Sequence, residues 1–254
     1  MRQGYNLKWL TDKFDTGEAL KFLFFWGHTN SSNEEVGKFC FSQWFELPFI
    51  VDGTTYKTSE HWMMANKALL FNDVKTYDKI IVANKPGEAK ELGRQVLGFD
   101  DQIWNENRFE IVVQGNIHKF NQHIAYADYL VNTKDRILVE ASPVDKIWGI
   151  GLSKDAEHID NPHFWCGQNL LGFALMKVRD FFIEYGHFKQ LDYIVNPPWK
   201  DYPNIDPMDL FWQMGVGEEV IAKFNKYYGT LSDREKVILK LTNSMPHEWR
   251  GFYN

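Results

Sequence analysis

The sequence predicts a helix-rich α+β protein in which a small sheet of short strands is packed by several helices. Three observations support this fold class. Short aromatic and β-branched runs bounded by turn residues indicate strands. Longer segments with apolar residues at helical spacing indicate amphipathic helices. The chain has 254 residues, of which 44% are apolar and 24% charged, and this composition is typical of a globular protein.

The first strands are predicted from aromatic sequence. Phe22–Trp26 and Phe39–Phe45 are strand-like runs separated by the polar loop His28–Gly37. A later strand is predicted over Arg136–Ser142, and it leads into a long loop, Pro143–Asn161. Loops that are anchored on a strand often carry functional groups, so this loop is a candidate site.

A hairpin and a series of helices lie between these strands. Asp52-Gly53 predicts a tight turn between Pro48–Val51 and Thr54–Lys57, because this dipeptide tolerates positive φ angles. Thr58 or Ser59 is a suitable N-cap for the first helix, and Pro86 is suited to open the third. The predicted helices are Glu60–Leu70, Val74–Ala83, Gly87–Val96, a longer one from Asp100 or Asp101 to Phe120, and one that starts at Asn169.

A boundary is predicted at Val195–Lys200, where two consecutive prolines halt regular structure. We therefore expect a catalytic domain over residues 1–195 and a helical C-terminal extension over residues 196–254. Its predicted helices are Met208–Gln213, Glu218–Tyr228 and Asp233–Asn243. We expect the extension to pack on the core, because its aromatic side chains need a surface to cover.

Charge and cysteine content exclude several classes of protein. The net charge is −6, from 28 basic and 34 acidic side chains, which argues against a general nucleic-acid or anionic-membrane coat. Two cysteines, Cys40 and Cys166, are too few for a disulfide framework or a four-thiolate zinc site. The apolar runs are too short to span a bilayer, and the first residues do not resemble a signal peptide. We therefore expect a cytoplasmic protein with no membrane partner.

Familiar cofactor motifs are absent from the sequence. There is no phosphate-binding loop ending in Gly-Lys-Ser/Thr, no Gly-x-Gly-x-x-Gly after a strand and no His-Glu-x-x-His. The histidines show no metal-ligand spacing. We expect neither a metal ion nor a redox or dinucleotide cofactor.

The first candidate site is the segment from Glu60 to Lys67. Glu60 falls in the first turn of a predicted helix, where the helix dipole favours an ionised carboxylate. Lys67 follows two turns later on the same face. These residues are either a solvated surface pair or a carboxylate and an amine that meet the same substrate atoms, and the spacing alone does not distinguish the two.

The second candidate site is the loop Asp145–Gly151. It combines an acid, the aromatic plane of Trp148 and two glycines, Gly149 and Gly151, which allow close approach of the backbone to a ligand. The alternative is that Asp145 caps a turn and Trp148 fills the core.

Seven motifs occur together in a fixed order, and together they resemble the NADAR, or YbiA-like, family over roughly residues 22–185. They are Phe25-Trp-Gly-His28, Phe41-Ser-Gln-Trp44, Glu60–Lys67, Ala89–Arg94, His118-Lys-Phe120, Glu140–Gly151 and Gly167–Gly172. The match to the family is closest at the Asp-x-x-Trp-Gly-x-Gly loop and looser at Met63-Met64. The residues at these two methionine positions therefore bear on which substrate the protein prefers.

The resemblance implies an N-glycosidase acting on ribose phosphates. Members of the family remove the sugar from aminopyrimidine intermediates of riboflavin synthesis, or remove ADP-ribose from guanine bases in DNA. In both cases C1′ of the ribose is bonded to an exocyclic amine of the base. The implied partner is therefore a small ribosylamine or an ADP-ribosylated guanine nucleotide or DNA.

Roles for individual residues follow from this resemblance. Glu60, Lys67 and Asp145 are the implied catalytic residues. Trp104 and Trp148 are the implied walls for the base or ribose. The residue types themselves add four substrate-binding residues: Lys90 and Arg94 are expected to bind phosphate, and Gly149 and Gly151 to let the backbone approach the substrate. Two mechanisms remain open: attack of Lys67 on an imine, giving a Schiff base, or stabilisation of an oxocarbenium ion by a carboxylate while water attacks. The alternative function is a non-catalytic module that binds ADP-ribose or NAD.

Overall fold

Strand pairing in the computed structural model brings together segments that are far apart in the chain. The structure describes residues 4–29, 35–189, 195–243, 245–249 and 251–252. The chain divides into two compact units, Met1–His187 and Phe188–Asn254.

The described residues of the first unit form two separate pairs of strands. Strand β1 (Phe22–Phe25) runs parallel to β4 (Ile137–Glu140), with Phe22 opposite Ile137 and Phe25 opposite Glu140. Strands β2 (Phe49–Val51) and β3 (Thr54–Tyr56) form an antiparallel hairpin. Asp52 and Gly53 both have positive φ angles, 48° and 78°, as a tight hairpin turn requires.

Seven helices in the described part of the first unit surround these strands. They are α1 (Leu7–Asp15), α2 (Ser59–Leu70), α3 (Val74–Val82), α4 (Pro86–Gly93), α5 (Asp101–Gln122), α6 (Ile124–Val131) and α7 (Leu170–Tyr185). The side chains of Thr58, Asp73 and Asp100 accept backbone N–H bonds and so cap α2, α3 and α5. The prediction of a helix-rich α+β fold with few short strands is confirmed.

Helix α7 packs directly against β4. Residues Ile137, Leu138 and Val139 of β4 are buried, as are most side chains along α7. The two elements approach closely at Gly172, where an added Cβ would overlap the carbonyl oxygen of Leu138. The glycine is therefore needed for space, because the contact is with backbone that cannot move aside without displacing the strand.

The substitution Gly172→Ala is expected to reduce the free energy of unfolding by at least about 2 kcal/mol, because it overpacks the contact between α7 and β4. Urea denaturation measures the change. Gly229→Ala is the matched control, since Gly229 lies in a helix with nothing within 4 Å of its added Cβ. An equal effect of the two substitutions would contradict this account.

Asn169 joins α7 to β4 through its side chain. It is fully buried and adopts a left-handed conformation with φ 53°. Its Nδ2 donates to the Leu138 carbonyl at 2.9 Å, and its Oδ1 accepts from the Glu140 N–H at 3.0 Å. The amide thus bonds the side of β4 that faces away from β1, and it fixes the end of the strand.

The second unit is helical and has an aromatic core. Its helices are α8 (Pro198–Asp201), α9 (Gly215–Thr230) and α10 (Asp233–Thr242). A 3₁₀ turn over Leu210–Gln213 lies between α8 and α9, and another over His247–Trp249 follows α10. Three buried tryptophans form the centre of the core, and partly buried apolar residues surround them. The tryptophans are Trp199, Trp212 and Trp249.

The structure corrects several predictions from the sequence. The strand expected over Phe39–Phe45 is wrong. Lys38–Phe41 is a 3₁₀ helix in which three consecutive residues, Phe39 to Phe41, are buried. In a strand, successive side chains point to opposite faces, so this run of buried residues fits a tight helical turn better than a strand at a sheet edge.

Other differences concern the limits of elements. Met208–Gln213 is a 3₁₀ turn over Leu210–Gln213 rather than a helix, and α4 ends at Gly93 rather than Val96. Helix α1 was not predicted. Part of the predicted loop His28–Gly37 lies outside the described residues.

Candidate active site

The carboxyl ends of β1 and β4 open onto a cavity of about 630 Å³, a size suited to a nucleotide-sized ligand. Because the strands are parallel, the segments that follow them, from Trp26 and from Ala141, meet at the same edge. Helices α2, α4 and α5 complete the wall. All the side chains predicted for the site line this cavity: Glu60, Lys67, Lys90, Arg94, Trp104, Asp145 and Trp148.

Glu60 lies in the first turn of α2, and its side chain is only 3% exposed. Its backbone N–H donates to the carbonyl of Gln43 at 2.9 Å. Its Oε1 is buried without a hydrogen-bond partner among the described residues. This burial excludes a solvated surface pair with Lys67.

The environment of Glu60 disfavours ionisation. Burial raises its pKa to about 7 and the charge of Asp145 adds to this rise, whereas Lys90, a hydrogen bond from Trp44 and Arg94 oppose it. A carboxyl with a pKa near neutrality is suited to proton transfer.

Lys67 lies two turns further along α2, with its amine at the cavity wall. Its Nζ donates to the carbonyl of Gly93 at 2.9 Å and lies 4.0 Å from the ring centroid of Phe99 and 5.6 Å from that of Trp104. Burial lowers the pKa of Lys67 below its ordinary value, against the opposing charge of Asp101. A larger share of neutral amine makes this lysine a better nucleophile.

Helix α4 supplies the two cations that were predicted to bind phosphate. Lys90 is half-buried, with Nζ 5.9 Å from the ring centroid of Trp44, and its charge lowers the pKa of Glu60. Arg94 is exposed at the end of the helix and forms an ion pair with Glu91. Arg94 is therefore the cation that is more open to solvent, whereas Lys90 faces carboxylates.

The loop after β4 is held by Asp145. Its Oδ1 accepts the backbone N–H groups of Ile147 and Trp148, each at 2.8 Å, and its own N–H donates to Ser142 Oγ at 3.2 Å. Asp145 thus caps a turn, as the alternative interpretation held. It also lines the cavity together with Trp148. Capping therefore does not remove Asp145 from the cavity wall, and its role in the chemistry stays a prediction.

Gly149 and Gly151 are not among the residues that line the cavity. An added Cβ on Gly149 would lie 2.9 Å from the carbonyl oxygen of Glu140, and one on Gly151 would lie 3.0 Å from Cβ of Cys166. Gly151 also has a positive φ of 68°. The close approach that these glycines permit in the structure is therefore to the protein's own chain.

Sequence reasoning missed Glu140, the last residue of β4. Its side chain is half-buried and lines the cavity, and its Oε2 is buried without a hydrogen-bond partner among the described residues. Burial raises its pKa to about 8, and the charges of Asp145 and Glu60 add to the rise, against the opposing effect of Lys90. The signal was present, since Glu140 opens the motif that contains Asp145.

Other residues that line the cavity were not predicted as site residues. Several are aromatic or apolar and offer surfaces for a planar base. They include Trp26, His28, Trp44, Met63, Met64 and Ile147. Because Met63 and Met64 lie here, the position where the family resemblance is looser is part of the cavity wall.

Two features are absent from the described part of the chain. Among the described residues, no group of three or more His, Cys, Asp or Glu side chains is placed to hold a metal ion. No helix in the same ranges has both the length and the apolar character needed to cross a membrane.

Comparison with known proteins identifies the family. The NADAR domain model matches residues 24–182, which is more than half of the chain and includes every residue of the predicted site. The chain belongs to the NADAR family. The relatives include N-glycosidase R617 of Acanthamoeba polyphaga mimivirus, which is 40% identical over 168 residues, 64% of this chain and 97% of the relative.

Two further NADAR comparisons bear on fold and chemistry. Riboflavin biosynthesis protein VVA0006 of Vibrio vulnificus is 26% identical over 200 residues, 79% of this chain and 50% of the relative. The NMR structure of the E. coli protein YbiA matches with a TM-score of 0.50 at 24% identity, covering 69% of this chain and 94% of YbiA. The YbiA likeness shows that the fold is shared.

Proposed function

We propose that this chain is an N-glycosidase that hydrolyses the C1′–N bond between a ribose phosphate, or ADP-ribose, and an exocyclic amine of a base. The observation that carries the proposal is the composition of the cavity. Two carboxyls with raised pKa values, a lysine with a lowered pKa and several tryptophans line the same cavity. The mimivirus relative is named an N-glycosidase, which agrees with this chemistry.

Two substrate classes fit the proposal. One is a ribosylaminopyrimidine phosphate of riboflavin synthesis, which the name of the Vibrio relative supports. The other is ADP-ribosyl-guanine in DNA. In either case, the base stacks on Trp148 or Trp104, and Arg94 meets the phosphate, since an arginine can donate two hydrogen bonds to phosphate oxygens.

The lysine route is the mechanism that we favour. The lone pair of the exocyclic nitrogen opens the furanose ring and forms a C1′=N imine. The neutral amine of Lys67 adds to C1′, the base departs as a free amine, and water hydrolyses the Schiff base that remains on the lysine. In the competing route, water attacks an oxocarbenium ion that Glu60 or Asp145 stabilises.

The direct test offers both substrate classes to the purified protein in buffer that contains a chelator. We expect release of free ribose phosphate or ADP-ribose, detected by mass spectrometry. Tight binding of ADP-ribose without any release from either substrate would instead identify a non-catalytic ADP-ribose or NAD module. Activity that needs an added divalent ion would contradict the metal-free mechanism.

Asp145→Asn is expected to slow hydrolysis by a factor of about 100 or more while the melting temperature stays unchanged. The asparagine side chain keeps an oxygen that can accept the N–H groups of Ile147 and Trp148, but it loses the negative charge. Asp145→Ala is the comparison, since it removes both functions. A lower melting temperature in Asp145→Asn, together with lost activity, would show that capping is its role.

Arg94→Ala is expected to weaken binding of ADP-ribose by about tenfold at low salt and by less at high salt, because an exposed charge is screened. Titration calorimetry with ADP-ribose and with unphosphorylated ribose measures the effect, which should be confined to the phosphorylated ligand. Arg136→Ala is the control, since Arg136 is exposed but does not line the cavity. An equal loss for both ligands would contradict phosphate recognition.

A further inference from the structure

The backbone of Glu140 is fixed on every side at the rim of the cavity. Glu140 pairs with Phe25 of β1, its N–H donates to Asn169 Oδ1 at 3.0 Å, and its carbonyl accepts from Ile150 N at 3.0 Å and Ser142 N at 2.9 Å. A side chain on such a backbone has few orientations available, which suits a group that acts on a bound substrate.

The Glu140 carboxyl lines the cavity with two other acids, Glu60 and Asp145, and with Lys90, whose charge partly offsets theirs. Its Oε2 is buried without a partner among the described residues, and so is Oε1 of Glu60. Asp145 lines the same cavity. Burial and the charge of Asp145 raise the pKa of Glu60 to about 7 and that of Glu140 to about 8, so the two glutamates together hold a proton at neutral pH.

The charges that face Glu140 favour its protonated form. Burial raises its pKa to about 8. The charges of Asp145 and Glu60 both raise the pKa of Glu140 and so oppose its ionisation further, whereas the charge of Lys90 lowers it. The other cations of the cavity wall are Lys67 and Arg94.

We propose that Glu140 is the proton donor to the exocyclic nitrogen as the C1′–N bond breaks, an assignment that rests on the proposed N-glycosidase function. The bonding electron pair passes to nitrogen, the carboxyl proton moves onto the same nitrogen, and the base leaves as a neutral amine. Water finally supplies an oxygen to C1′, and its proton returns to the Glu140 carboxylate. The net reaction consumes one water molecule and leaves the enzyme in its starting state.

A leaving-group comparison tests this role. The substrates are the ribose 5-phosphate glycosides of aniline and of 4-nitroaniline. The nitro group stabilises charge on the departing nitrogen, so this amine needs less help from an acid. Glu140→Gln is expected to reduce kcat by about 100-fold or more for the aniline glycoside and by about tenfold or less for the nitroaniline glycoside. Glu110→Gln, at an exposed glutamate of α5, is the control and should change neither rate.

A second measurement uses the unaltered protein, so that it does not depend on the folding of a variant. The kcat of the wild type for the aniline glycoside should fall as the pH rises past about 8, and the fall should be smaller for the nitroaniline glycoside. Titration of Glu60 or Lys67 in another role would affect both substrates alike.

The possible failures are distinguishable. If the wild type cleaves neither glycoside, nor the two substrate classes named above, the proposed function is wrong and the assignment of Glu140 is wrong with it. If the wild type is active and Glu140→Gln slows both glycosides equally, Glu140 only positions other groups. If the wild type is active and Glu140→Gln slows neither glycoside, Glu140 has no part in the reaction. Either of the last two results overturns the proton-donor role and leaves the N-glycosidase intact.

Discussion

Glu60→Gln is expected to bind ADP-ribose about as tightly as the wild type. Its kcat is expected to be lower by a factor of roughly 100–10,000. The substitution keeps the size of the side chain and removes only its ability to carry a charge or a proton. Because Glu60 is an anion when ionised, it is unsuited to contact phosphate and is expected to face C1′ of the ribose. Measurement of kcat, KM and the Kd for ADP-ribose separates the two effects.

The same variant should be more stable than the wild type at alkaline pH. The pKa of Glu60 is about 7 in the native state against an ordinary value of 4.5, so the native state holds more protons than the unfolded chain between these pH values. The free energy of unfolding therefore falls as the pH rises through this window, and Glu140 extends the fall to about pH 8. At pH 8 we expect Glu60→Gln to gain on the order of 1–3 kcal/mol.

Glu106→Gln is the matched control, since Glu106 is an exposed glutamate of α5 and should affect neither activity nor stability. Urea denaturation of the three proteins at pH 5 and pH 8 gives the stability comparison. Should Glu60→Gln lose binding while keeping its turnover rate, the assignment of Glu60 to catalysis is wrong.

Lys67→Met is expected to abolish turnover, with a loss of at least about 1,000-fold, because the proposed Schiff base forms on the Nζ atom that the substitution removes. Methionine keeps the apolar stem that packs beside Phe99 and Trp104 and removes the Nζ that donates to Gly93. Burial already disfavours the charged form of Lys67, as its lowered pKa shows. Removal of this charge should therefore leave the melting temperature nearly unchanged.

Reductive trapping identifies the intermediate directly. Borohydride added during turnover should leave a sugar adduct on Lys67, located by mass spectrometry of peptides. Lys90→Met is the control, and this variant should still form the adduct if it retains any turnover. Absence of an adduct in the wild type, together with full activity in Lys67→Met, would exclude the lysine route and favour the oxocarbenium route.

The sequence was informative where the relevant contacts are local. Glu60 and Lys67 were predicted as a pair because both lie on one helix, where spacing alone places them on one face. The Asp145–Trp148 loop was predicted because its residues adjoin in sequence. The hairpin turn at Asp52-Gly53 is a local preference of the backbone, and it too was correctly predicted.

The missed features depend on contacts between distant segments. Glu140 and Glu60 line one cavity although β4 and α2 lie far apart in the chain. No periodicity within residues 136–142 carries that information. The 3₁₀ helix at Lys38–Phe41 was misread as a strand for a similar reason, since burial of three consecutive residues is decided by the surrounding elements.

The amide of Asn169 has a consequence for solubility. A strand edge with free N–H and C=O groups is a surface on which a strand from another molecule can add, and such edges promote aggregation. Asn169 occupies the Leu138 carbonyl and the Glu140 N–H on the outer edge of β4, so a single side chain blocks strand addition there. The same two bonds hold the residue that we propose as proton donor. Protection against self-association and placement of a reactive carboxyl therefore depend on one side chain, and selection on either property constrains the other.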